Sequence, residues 1–216
     1  MTIEYLIGVD LSGPSNAADT AVTVFKSSAP GLTLQTTASD VSDAELVRLI
    51  KPFTLCSKAV VGVDAPLSYN DGGGDRPADR SLRQRIVQVG LAAGSVMPPT
   101  MTRMAYLTLR GLAVARLLSG LPNPPLLVEV HPGAAMALRN APVEDIRLMK
   151  KERSAQRRLL GWLEDQGLEG VAAVKNSTDH YVASCAAALA AWRWEQHRAE
   201  WIHPADPPLH PFDFAC

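Results

Sequence analysis

The chain has 216 residues, of which 47% are hydrophobic and 20% charged, and its formal net charge is -1. That is the make-up of a globular domain with a substantial core, and it excludes a disordered polyelectrolyte or a broadly basic nucleic-acid coat. No N-terminal stretch has signal-peptide form and no apolar run approaches the roughly eighteen residues of a spanning helix, so a cytoplasmic protein with no membrane partner is expected. Cys56, Cys185 and Cys216 are widely spaced and lack a metal-type pairing, which fits a reducing interior.

In chain order, residues 3–9 form an apolar run that Asp10 and the turn-prone Ser12-Gly13-Pro14-Ser15 bring to an end. Residues 20–26 alternate as a half-exposed antiparallel strand should, and residues 31–37 return as a third strand after Pro30-Gly31. Ser42 to Cys56 has helical spacing and a Ser42…Glu45 capping box. Residues 59–63 are hydrophobic throughout, the mark of a strand covered on both faces. Residues 65–80 read as an irregular, polar loop, and loops of that length in a compact domain carry function or motion. Helices are expected at about 80–91 and 103–119, a fifth strand at 126–130, a long polar helix over 143–166, and another helix over 178–198. The proline-rich stretch 202–216 is expected to lie extended over the surface of a single domain, 1–201. Three strands followed by alternating helix and strand is an α/β order.

Four acids stand where acids are costly. Asp10 closes Tyr5-Leu6-Ile7-Gly8-Val9, Asp64 closes Val60-Val61-Gly62-Val63, Glu129 interrupts Leu126-Leu127-Val128, and Asp179 opens an alanine-rich helix. A buried carboxylate must be neutralised, paired or bound to a cation. If the strands ending at Asp10, Asp64 and near Glu129 run parallel, their acids meet at the sheet edge that lines ligand crevices in α/β folds. Asp179 heads the small-residue face of its helix, with Ala183, Ala186, Ala187 and Ala190 on the same side. Each acid also has a plain reading. Asp10 and Asp64 can cap the turns that follow, and Ser177-Thr178-Asp179 is a natural N-cap cluster.

Gly8-Val9-Asp10, Gly62-Val63-Asp64-Ala65-Pro66, Arg76 to Arg83, Val128-Glu129-Val130-His131-Pro132 and Asp179-His180-Tyr181-Val182-Ala183 together resemble the domain-of-unknown-function 429 family, a group predicted to be RNase H-like nucleases. The resemblance implies an RNase H-like mixed sheet of five strands, three antiparallel and then two parallel, flanked by helices. It also implies a carboxylate cluster of Asp10, Asp64, Glu129 and Asp179 holding Mg2+ or Mn2+. The RuvC-type junction resolvases of the wider superfamily often open their last helix with Asp-x-x-Asp-Ala; here Val182 stands at the second acid, leaving one carboxylate fewer.

The expected function is therefore metal-dependent hydrolysis of phosphodiester bonds, with nucleic acid as partner. Magnesium takes oxygen ligands, and a pair of such ions can stabilise both the attacking and leaving oxygens. Asp10 is the expected bridge between ions, and His131, two positions beyond Glu129, the expected proton relay. Arg76, Arg80, Arg83 and Lys150 are the expected phosphate contacts, although pairing of the arginines with Asp75 and Asp79 competes. The basic run 150–158 reads first as a solvated helix face. Two other functions stay open. An actin-type ATPase shares this sheet, but Asp64-Ala65-Pro66 opens no glycine-rich phosphate loop. A non-catalytic nucleic-acid-binding module with a degenerate site is the other.

Overall fold

Strand alternation and two close-packed glycines set the architecture around the acids. In a computed structural model, which describes residues 3–55 and 57–216, β1 (Ile3–Asp10), β2 (Ala21–Ser28) and β3 (Gly31–Ser39) form an antiparallel meander. β4 (Lys58–Asp64) then lies parallel to β1 on its other side, and β5 (Leu126–Val130) lies parallel to β4. Between β3 and β4 comes α1 (Asp43–Leu55), opened by the expected capping box: Ser42 N donates to Glu45 Oε2 at 3.0 Å. Cys56, the last residue expected in that helix, lies outside the described residues.

The five expected strands are the middle of a larger mixed sheet. Its order is β6-β3-β2-β1-β4-β5-β8-β7, eight strands in all, flanked by helices on both faces. The additions are β6 (Leu168–Glu169), β7 (Ile202–His203) and β8 (Phe214–Ala215), each only two residues long. Such pieces are too short to show a period, so periodicity misses them. β8 corrects the expected surface tail: Phe214 and Ala215 pair with Glu129 and Val130 of β5 and, with Cys216, are buried. The exposed edge of β5 otherwise presents unpaired backbone groups, and the returning chain satisfies them.

The helical half departs from expectation in two places. The long helix expected over 143–166 is broken into α5 (Val143–Leu148) and α6 (Arg153–Asp165). The buried Gln156 side chain donates to the Met149 carbonyl at 2.7 Å and so satisfies the backbone at the break. A short helix, α4 (Pro132–Leu138), starts directly after β5, with Pro132 at its first position, where a missing N–H costs nothing. α2 (Pro77–Gln88) likewise starts on a proline, which shortens the expected loop to 65–76. α3 (Thr102–Ser119) sits with α1 against one face of the sheet.

The other face is covered chiefly by α7 (Asp179–Glu195), buried from Tyr181 through Trp192 on every side. A helix apolar all round has to be enclosed. Its close seat depends on Gly8 and Gly62, neighbours in the β1–β4 register. A Cβ on Gly8 would lie 1.9 Å from the Ser184 carbonyl oxygen, and one on Gly62 would lie 2.5 Å from that of Ala187. This contact brings the first turn of α7 to the ends of β1 and β4, where Asp10 and Asp64 stand. Among the described residues, no helix is long and apolar enough to cross a membrane.

Candidate active site

Asp10 and Asp64 are register partners at the last rung of the β1–β4 ladder. Side chains alternate across a strand, so both carboxyls emerge on the α7 face, two residues beyond Gly8 and Gly62. The two carboxyls lie close enough for each to shift the proton affinity of the other. Burial raises the Asp10 carboxyl above its ordinary range, with the hydrogen bond from His180 opposing the rise. Burial raises Asp64 well above that range, and the neighbouring Asp10 charge reinforces it. The physical state is a carboxyl pair that is costly to ionise fully without a cation.

α7 supplies the next groups. Thr178 caps the helix, its hydroxyl accepting from Tyr181 N at 3.2 Å, and this aims Asp179 and His180 at the strand ends. His180 Nδ1 lies 2.8 Å from Asp10 Oδ2, while its Nε2 lies 3.7 Å from Asp19 Oδ1 and 4.0 Å from Asp179 Oδ1. The hydrogen bond to Asp10 raises the imidazole above its ordinary value despite partial burial, and the charges of Asp10, Asp179 and Asp19 add to it. Sequence reasoning gave neither His180 nor Asp19 a role. The signal for His180 was its place beside Asp179; Asp19, in a short turn of 3-10 helix, carried none.

Glu129 lines the same cavity and its charge raises the Asp64 pKa, but it approaches differently and is held by other partners. In the β4–β5 register it stands beside Val63, and Val128 stands beside Gly62. Its side chain therefore leaves the sheet on the face opposite Asp10 and Asp64, because a shift of one residue exchanges the faces. There both oxygens are occupied. Arg76 Nη1 donates to Oε2 at 2.8 Å and Nη2 to Oε1 at 2.5 Å, while Leu67 N donates to Oε2 at 2.8 Å. The Arg76 guanidinium also binds Asp79, with Nη2 2.7 Å from Oδ1.

Arg76 is thus the centre of a buried ion triad rather than a phosphate contact, and it is only 3% exposed. Burial disfavours its charge, but Glu129 and Asp79 more than compensate, so its pKa is raised. Arg83 pairs with Asp75 at 2.6 Å, while Arg80 donates only to the Asp75 backbone carbonyl, so the pairing reading holds for Arg76 and Arg83. Of the expected phosphate contacts Arg76 and Lys150 line the cavity with the acids; Arg76 is spent on Glu129 and Asp79, while the Lys150 charge lowers the Asp64 pKa. His131 is a structural histidine. Its Nδ1 accepts from Ala134 N at 3.2 Å, its Nε2 donates to the Ser95 carbonyl at 2.9 Å, and burial lowers its pKa.

These groups surround one cavity of about 520 Å3. Asp10, Asp19, Asp64 and Asp179 line it together with His180 and Lys150, and its walls include Val96, Met97, Met104, Leu107, Ile146 and Met149. Segments 94–97 and 65–66 contribute to the cavity lining. Among the described residues, no group of three or more His, Cys, Asp or Glu side chains converges with the geometry to hold a metal ion. The donor chemistry at Asp10 and Asp64 nevertheless fits a hard cation. Magnesium is usually bound by one or two carboxylates plus waters and substrate phosphates rather than by an all-protein cage.

The family described as "protein of unknown function (DUF429)" matches residues 8–208, nearly the whole chain, and the chain belongs to that family. No curated protein and no solved structure matches it.

Proposed function

We propose that this member of the DUF429 family is a metal-dependent hydrolase of phosphodiester bonds in nucleic acid, built on an RNase H-like sheet. The observation that carries the proposal is the Asp10–Asp64 pair, two register-matched carboxyls that both line one cavity. The middle of the sheet, β3-β2-β1-β4-β5 with β1 antiparallel to β2 and parallel to β4, supports the fold assignment. Asp10 and Asp64 would hold Mg2+ or Mn2+, and Asp179 stands close enough to contact a water or a second ion. When bound, such an ion supplies an activated water and charge neutralisation at the phosphate.

The chain's own groups do the remaining work. His180 fixes Asp10 Oδ2 and presents Nε2 to the cavity, where a raised pKa suits it to protonate a leaving oxygen. Lys150 draws phosphate towards the acids, and the apolar wall limits competing water. The Arg76 triad holds the 65–76 loop in place, because Arg76 also donates to Ser68 Oγ at 3.0 Å.

A second reading, a binding module that has lost turnover, is favoured by two observations. Val182, where the RuvC-type pattern has a further acid, is fully buried in the core, and Glu129, one acid of the expected set, is already neutralised by Arg76.

The test pairs calorimetric titration of Mg2+ and Mn2+ with cleavage of fluorescence-quenched single-stranded DNA and RNA. The wild type should bind metal and cleave, EDTA should stop cleavage, and Asp10→Asn should lose both. Metal binding without cleavage of any substrate would transfer the protein to the binding-module reading. Failure to bind either metal, with or without oligonucleotide, would remove the hydrolase reading and leave the binding module.

A further inference from the structure

We propose that the groove between α6 and the 170–178 segment is a second phosphate site, which takes the backbone of the nucleic-acid strand whose neighbouring phosphate lies at Asp10 and Asp64. The proposal rests on the nucleic-acid reading above and extends it to substrate placement.

The groove has a volume of about 540 Å3, and Arg153, Arg157, Lys175, Asn176 and Ser177 line it with no carboxylate among its lining residues. Arg153 and Arg157 are four apart on α6, which puts their Cβ atoms about 5–6 Å from each other on one face. Lys175 reaches the same space from the facing segment. All three are exposed.

Charge pairing leaves these residues available. Arg76, Arg83, Arg110, Arg147 and Arg158 each have a carboxylate partner. Arg158, the very next residue on α6, is turned away to Asp145 at 2.6 Å. Arg153, Arg157 and Lys175 have no ion-pair or side-chain hydrogen-bond partner among the described residues. Like charges at this spacing repel, and an anion in the groove removes that repulsion. Arginine side chains on one face, with a lysine opposite, suit phosphate oxygens.

Position makes the anion part of a polymer. Ser177 lines the groove, while Asp179 and His180 line the acid cavity. The Cα atoms of Ser177 and Asp179 are at most about 7 Å apart, two residues along the chain. A mononucleotide carries one phosphate group and can satisfy one of these sites at a time. A strand satisfies both, and contacts to its backbone need no particular sequence.

The test uses the full chain with Asp10→Asn to prevent turnover, and measures fluorescence anisotropy of a short labelled single-stranded oligonucleotide over a range of salt. Adding Arg153→Gln, Arg157→Gln and Lys175→Gln should raise Kd at least tenfold. The same change should flatten the log Kd against log salt slope by about 2, since each lost phosphate contact on a single strand is worth about 0.7. A control that removes Arg48, Lys51 and Arg116, on α1 and α3 across the sheet, should change neither. Unchanged affinity and slope in the groove variant would overturn the proposal, as would AMP binding as tightly as the oligonucleotide. Manganese-dependent hydrolysis of bis(p-nitrophenyl) phosphate, which reaches only the acid cavity, separates the two claims. If that activity is absent while oligonucleotide binding falls as expected, the hydrolytic reading fails and the groove stands. If the activity is intact in wild-type and groove-variant protein but oligonucleotide binding is unmoved, the reverse holds.

Discussion

Replacing Gly8 with alanine puts a methyl group where the backbone of α7 already is. The new Cβ would lie 1.9 Å from Ser184 O and 2.6 Å from Ala188 N. Ordinary contact begins near 3.4 Å, so the helix must retreat by the difference between 1.9 and 3.4 Å, about 1.5 Å, or β1 must buckle. Both partners are main chain of fully buried elements, so no side chain can swing away. Overpacking a well-packed core typically costs about 1–3 kcal/mol, and the absence of any soft neighbour places Gly8→Ala at or above about 3 kcal/mol. For a chain of this size, that lowers Tm by roughly 6–12 °C. Urea denaturation followed by circular dichroism measures it. Gly62→Ala, 2.5 Å from Ala187 O, should be destabilising as well but milder. Gly161→Ala provides the opposite sign: it lies within α6 with no atom within 4 Å of a new Cβ, so the better helix former should stabilise by up to about 1 kcal/mol. A Gly8→Ala protein as stable as wild type would refute the close seating of α7 and, with it, the placement of Asp179 and His180 beside Asp10.

Further outcomes follow from the ion triad and the carboxyl pair. Arg76→Met leaves Glu129 and Asp79 buried without their cation and should cost about 3–5 kcal/mol in urea denaturation. A loss below about 1 kcal/mol would contradict the triad. Asp64, raised in the folded state, holds its proton above its ordinary value, so metal-free stability should fall as pH rises from about 4 through the raised folded pKa. The raised His180 acts in the same direction, since its contribution is complete below about 6.5 and is lost as pH climbs through its folded pKa. Urea midpoints in EDTA between pH 4 and 8 should therefore decline in the wild type and flatten in Asp64→Asn; parallel curves would be the wrong result. NMR titration of the His180 ring should give a pKa above 6.5 that returns towards that value in Asp10→Asn, and an unmoved ring would break the assigned contact. Magnesium affinity should increase with pH as the raised Asp64 carboxyl gives up its proton.

The residues that build the site were legible in the sequence to different depths. Asp10 and Asp64 end apolar runs that match β1 and β4 to within a residue, because a buried strand reads as an uninterrupted hydrophobic segment. Asp179 heads an alanine-rich helix that presses on the sheet, but the residues that meet Gly8 and Gly62 are Ser184, Ala187, Ala188 and Ala191, of which the spacing from Asp179 picked out only Ala187. Glu129 was equally conspicuous and lines the same cavity, yet it is committed to Arg76. What separates it from the aspartates is the β4–β5 register, a relation between two segments that neither segment encodes alone. The same limit hid β8, since two residues carry no period and only the open edge of β5 gives them a place.

By itself, then, the sequence determined the strand-first order, the positions of the central strands and the presence of costly acids, all of which follow from local hydrophobic patterning. Tertiary structure decided which acids share a face, which arginines are spent on ion pairs, and that His180 rather than His131 meets Asp10. Those choices depend on strand register and helix docking, where displacements of a single residue or of 1–2 Å exchange partners.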